Sequence, residues 1–65
     1  FMFSGCNSLH TLRLDNCSNE TINRIINSSG FPTNVIEGVT RTIYCKEANA
    51  AGLTAPTNWV FSYVN

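Results

Sequence analysis

The sequence predicts an α/β fold in which short parallel strands are joined through one amphipathic helix and a last strand closes the chain. Three observations carry this reading. An L-x-L alternation ends at Leu14, and Ile22, Ile25 and Ile26 then fall at helical spacing. Two runs rich in branched and aromatic residues follow, Val39 to Cys45 and Trp59 to Val64. With 65 residues, 43% hydrophobic and 12% charged, the chain has material for one small core and reads as a single unit, 1–65. A chain of this size hides only about 60% of the surface its unfolded form exposes, so its stability is marginal without a staple, a metal or a docked neighbour.

Each element has a local cause. Leu9, Leu12 and Leu14 stand at L-x-x-L-x-L spacing. The L-x-L sends Leu12 and Leu14 to one face and Thr11, Arg13 and Asp15 to the other, while Leu9 enters the core from the preceding turn. Ser18 is placed to cap a helix of about 19–28, with Glu20 in its first turn where the dipole favours an anion. Asn27-Ser28-Ser29-Gly30 ends that helix, Gly30 taking the left-handed conformation, and Phe31-Pro32 prevents its resumption. Thr33 to Gly38 reads as an irregular connection with Val35 and Ile36 packed on the core. The second strand, Val39 to Cys45, alternates Ile43 and Cys45 against Thr42, Tyr44 and Lys46. A helical connection between the two strands predicts a parallel pair with a right-handed crossover. Glu47 to Ala51, closed by Gly52, reads as one or two helical turns with Ala48 and Ala51 inward and Leu53 plugging the end. Thr54 to Asn58 is a loop, and Trp59 to Val64 is a third strand with its aromatics on one face.

Charge narrows the function classes. Four Lys+Arg balance four Asp+Glu, which removes the basic footprint of a nucleic-acid binder and the polybasic anchor of a peripheral membrane protein. No apolar run approaches the roughly 20 residues of a membrane span. The chain opens on Phe1 without a signal-like segment, so a piece of a longer chain is expected, with any export signal upstream. Three cysteines, Cys6, Cys17 and Cys45, are an odd number with no C-x2-C pair, and His10 follows Cys6 by four. Free thiols packing as small hydrophobes are expected, with no metal and no cofactor. His10 is the only histidine and reads as a solvated turn residue. A Cys/His nucleophilic pair needs only proximity in space, yet no orienting third group is legible. The carboxylates Asp15, Glu20, Glu37 and Glu47 show no paired spacing for acid/base work, so a non-enzyme is expected. Among the asparagines, Asn16, Asn19 and Asn27 open N-x-S/T triplets, which are glycan acceptors only in a eukaryotic secretory protein.

Residues 2–14 resemble the BspA-like bacterial surface leucine-rich repeat, whose core is M-F-x-G-C-x-S-L-x-x-L-x-L. Met2, Phe3, Gly5, Cys6, Ser8, Leu9, Leu12 and Leu14 match it in order. Such repeats recur at roughly 22 to 25 residues, whereas the strand centres here, near Arg13 and Tyr44, are about 31 apart, so Asn16 to Gly38 forms an enlarged last turn. I-Y-C-K-E-A and W-V-F-S-Y-V are similar to the C-terminal ends of such proteins. The resemblance implies a leucine-rich-repeat-like solenoid fragment: residues 1–46 a terminal repeat with an enlarged connection, residues 47–65 a C-terminal cap. Trp59, Phe61 and Tyr63 would be its lid, and Met2 and Phe3 would face the rest of the parent chain. It further implies a non-catalytic binding or adhesion module for a protein or glycan, at a bacterial cell surface or secreted. The alternative is a purely structural end cap, or a decoration domain of a cell-surface or phage virion protein. The residues placed to bind are those pointing away from the core, Arg13 and Asp15 on the first strand and Tyr44 and Lys46 on the second, beside Thr11 and Thr42. Arg13 and Tyr44 have the chemistry of binding hot spots, and an Arg stacked beside a Tyr is expected. Charges of both signs favour a protein or glycan over nucleic acid.

Overall fold

Three strands and one helix make up the computed structural model, which describes residue 3 and residues 5–64. In chain order they are β1 (Thr11–Arg13), α1 (Asn19–Ile26), β2 (Arg41–Lys46), a 3₁₀ turn (Glu47–Ala50) and β3 (Trp59–Val64). The sheet has the order β1-β2-β3, with both pairs parallel. Leu12 stands beside Ile43 and Ile43 beside Phe61, a ladder of apolar side chains across all three strands. The protein is therefore a small α/β fold with an open parallel sheet, and α1 and the 3₁₀ turn cover one of the sheet's faces.

The helix begins as its sequence requires. Ser18 is extended at φ −70° and ψ 163°, and its Oγ accepts the Thr21 N–H at 3.2 Å. Ile22 and Ile26 are buried and Ile25 is half-buried, so the stripe faces the sheet, while Glu20 and Arg24 pair on the solvent side at 3.0 Å. The helix stops at Ile26, two residues short of the expected end. Local side chains take its last carbonyls: the Asn27 amide donates to Asn23 O at 2.8 Å and Ser28 Oγ donates to Ile25 O at 2.6 Å. Gly30 does adopt the left-handed conformation, at φ 82°, in the turn that follows.

Further corrections fall in the connections. Val35 is 73% exposed and does not pack on the core, although Ile36 is half-buried. Val39 lies outside β2, because Gly38 at φ 77° and the Val39 N–H bond to Ile36 O hold it in a turn. The strand starts at Arg41 and runs on to Lys46. In the 3₁₀ turn it is Ala50 that is buried, with Asn49 half-buried, while Ala48 and Ala51 face solvent. A three-residue period and a clamp from α1 set that orientation: the Asn19 amide donates to both Asn49 O and Ala51 O at 3.0 Å. The same clamp occupies Asn19, so its N-x-T triplet is closed to a glycan in this fold. Leu53 packs against the core as expected, its N–H bonded to Ala50 O.

The core consists of Leu14, Ile22, Ile26, Ile43, Cys45, Ala50 and Trp59. Only one of the three cysteines joins it. Cys45 is fully buried, Cys17 is half-buried and packs against the core, and Cys6 is half-buried outside it, so the expectation of core thiols holds for Cys45 and in part for Cys17; all three are free. Phe3 is half-buried and meets Phe31 edge-on at 5.1 Å; Met2 lies outside the described residues. No helix among the described residues is long and apolar enough to cross a membrane.

Burial, and secondarily the charge of Asp15, push the Cys45 thiol above its ordinary pKa of 9.0. The unfolded chain then loses that proton first, so the stability tied to Cys45 is intact below pH 9.0 and declines as pH rises from there towards the folded pKa. With a thiol reagent at pH 8, Cys6 and Cys17 should react in the native protein and Cys45 only after denaturant is added; equal rates for all three contradict the burial pattern. Asn19→Ala removes two long-range hydrogen bonds and should cost about 1 kcal/mol, read as a melting temperature lower by about 4–8 °C. Asn16→Ala, at an exposed position, is the control and should stay within about 0.5 kcal/mol.

Candidate functional site

The uncovered face of the sheet carries the residues that strand alternation sends away from the core. Register places them in rows: Thr11, Thr42 and Val60, then Arg13, Tyr44 and Ser62, then Lys46 and Val64. Arg13 and Tyr44 are direct cross-strand partners, and the Arg13 guanidinium carbon lies 4.3 Å from the Tyr44 ring centroid. Asp15, two residues on, accepts from Arg13 Nη2 at 2.7 Å. The guanidinium is thus held over a ring by one partner and bonded through Nη2 to the other, with its side chain still 58% exposed. Each contact alone is modest at the surface, about 0.5–1 kcal/mol for a cation over a ring and about 0–1 kcal/mol for an exposed ion pair. Together they immobilise a long side chain before any partner arrives, which lowers the ordering cost of binding.

All four residues predicted to bind fall on this side of the molecule. Arg13, Asp15 and Tyr44 form one contacting group. Lys46 lies two positions beyond Tyr44 on the same face, exposed and outside the ion pairs found among the described residues. The hydroxyls of Thr11, Thr42 and Ser62 border the group. The face offers planar and point-like cations, an aromatic surface and neutral hydroxyls, a set suited to carboxylates, amides and sugar hydroxyls. Among the described residues no group of three or more His, Cys, Asp or Glu side chains stands together as a metal site.

Sequence reasoning passed over Arg41. It opens β2 with the parity of Ile43 and Cys45, and it is 1% exposed. Its Nη2 donates to Asn7 O at 2.7 Å and its guanidinium carbon lies 5.3 Å from the Trp59 ring centroid. Nε and Nη1 have no acceptor among the described residues. The signal was present, since the alternation that sent Ile43 inward sends Arg41 inward too. A cavity of about 270 Å³ opens at this end of the sheet, between the starts of β2 and β3 and the turn that precedes β2.

Fold and face together define a small α/β protein with a one-sided parallel sheet and a preordered polar surface. Comparison with known protein families, with curated proteins and with solved structures finds no match to this chain.

Proposed function

We propose that the chain is a non-catalytic recognition unit, the C-terminal repeat and cap of a leucine-rich-repeat-type solenoid, exposed on a bacterial surface or secreted and binding protein or glycan through its open sheet face. The observation that carries this reading is the Arg13 guanidinium laid on Tyr44 and pinned by Asp15. A surface with no partner gains little from ordering a long cation, whereas a binding surface gains affinity from it. The winding supports the solenoid part: successive strands are adjacent and parallel, with steps of 31 residues from Thr11 to Thr42 and 18 from Arg41 to Trp59. The sequence resemblance over residues 2–14 points the same way.

A second reading is a purely structural end cap or decoration domain, on a cell surface or a phage virion. It is favoured by the same ion pair, because Arg13 already has its carboxylate and an incoming acceptor must compete with Asp15. The two readings separate in the full-length parent carrying Arg13→Ala with Tyr44→Ala, assayed on a glycan array and on immobilised host matrix proteins. Both side chains lie outside the core, so the melting temperature should hold within about 4 °C, while binding should weaken at least tenfold. Undiminished binding at an unchanged melt would overturn recognition by this face and leave the cap reading in its place.

A further inference from the structure

Arg41 sits where a charge is least welcome and has too few partners. The ion pairs among the described residues are Arg13 with Asp15 and Arg24 with Glu20, so no carboxylate neutralises it. Arginine does not shed its proton in proteins, so desolvation cannot be relieved by neutralisation. One carbonyl and one side of an indole ring are what the fold supplies. Replacing so costly a group with an apolar side chain is often neutral or stabilising in other proteins, which makes its presence informative.

The cavity gives the charge an outlet. Arg41, Asn34, Thr40 and Trp59 line it together with the apolar side chains of Val39 and Val60, both exposed. The Asn34 amide donates to Asn7 O at 3.2 Å, the same carbonyl that Arg41 Nη2 uses, so the guanidinium lies directly beside Asn34 at the cavity wall. Asn34 is exposed, and its other contact, to Val35 O, is long at 3.5 Å.

We propose that this cavity binds a small monocarboxylate carrying a short branched apolar group, with the carboxylate on Arg41 in place of the Asn34 amide and the apolar group against Val39 and Val60. Arg41 is the one cation among the described residues lining the cavity and matches one negative charge, which favours a carboxylate over a phosphate dianion. The volume of about 270 Å³, near the lower end of the ~300–1,000 Å³ typical of ligand pockets, suits a small occupant. Such a carboxylate occurs in a free short-chain acid and at the C-terminus of a peptide ending in valine. The site lies at the N-terminal ends of the strands, where it borders the open face at Val60 but includes none of Arg13, Asp15 and Tyr44.

The test uses the whole chain and isobutyrate at constant ionic strength, read by emission of Trp59, the single tryptophan, and by thermal melting. Isobutyrate should give a saturable change in emission and, at ten times its dissociation constant, raise the melting temperature by about 5–10 °C. Its neutral isostere isobutyramide should do neither. Acetyl-glycyl-valine and its amide form the second arm; tighter binding of the acid peptide than of isobutyrate assigns the site to a chain terminus, and the reverse assigns it to a free acid. Asn34→Ala should bind isobutyrate more tightly. Arg41→Met should abolish the response while keeping the fold. Should that variant not fold, Val39→Glu supplies its own carboxylate from an exposed wall position and should abolish the response equally. An absent or unsaturable change, an equal response to isobutyramide or to every salt, or a response that survives in a folded Arg41→Met or Val39→Glu variant overturns the proposal.

Discussion

Every backbone bond between strands of this sheet runs through β2. Its even-numbered groups face β1, as the Thr42 N–H bond to His10 O and the Leu14 N–H bond to Tyr44 O establish, so its odd-numbered groups face β3. The same alternation sorts side chains. Arg41, Ile43 and Cys45 go into the single covered face, and Thr42, Tyr44 and Lys46 go to the open one. A one-residue slip would put Tyr44 and Lys46 under α1 and leave Ile43 and Cys45 in water, so the register is fixed by the cost of the exchange. The core ladder, the Arg13–Tyr44 stack and the burial of Arg41 are all consequences of where β2 sits.

Regular structure is short, and side-chain amides hold the rest. The Asn19 amide ties α1 to the 3₁₀ turn, that of Asn34 ties the connection to Asn7, and that of Asn58 donates to Thr33 O at 2.6 Å. The Trp59 indole donates to Pro32 O at 2.6 Å and stacks at a tilt against Phe31. These donors reach backbone carbonyls that lie outside helix and sheet, the Pro32 carbonyl among them in a buried setting. They give the chain's asparagine richness a structural meaning that the N-x-S/T reading did not reach. Each bond joins segments 25 to 32 residues apart, so together they fasten the long connection to the sheet.

What was legible in the sequence was what period and capping chemistry control. The Ile22, Ile25 and Ile26 stripe, the Ser18 cap and the aromatic alternation of β3 follow from near neighbours in the chain, and the parallel direction of β1 and β2 from the helix that joins them. The open face was legible for the same reason, since parity alone places Arg13, Tyr44 and Lys46 outward. What was not legible depends on distant partners: which alanine of the 3₁₀ turn faces inward is decided by Asn19, and the exposure of Val35 by the path of a segment with no period. Arg41 is a different case. Parity placed it inward, but the rule that charges stay outside overrode parity, and the structure shows that parity prevails.

The central claim, that β2 lies between two parallel neighbours and β3 keeps a free outer edge, is tested most directly by residue-resolved native-state hydrogen exchange. In parallel register the amides of Ser62 and Val64 point to β2, while those of Phe61 and Tyr63 point to the edge. The account predicts slow exchange at Thr42, Ile43, Tyr44, Cys45, Ser62 and Val64, alternating with fast exchange at Phe61 and Tyr63. Uniform protection along β3, or the opposite alternation, would contradict it.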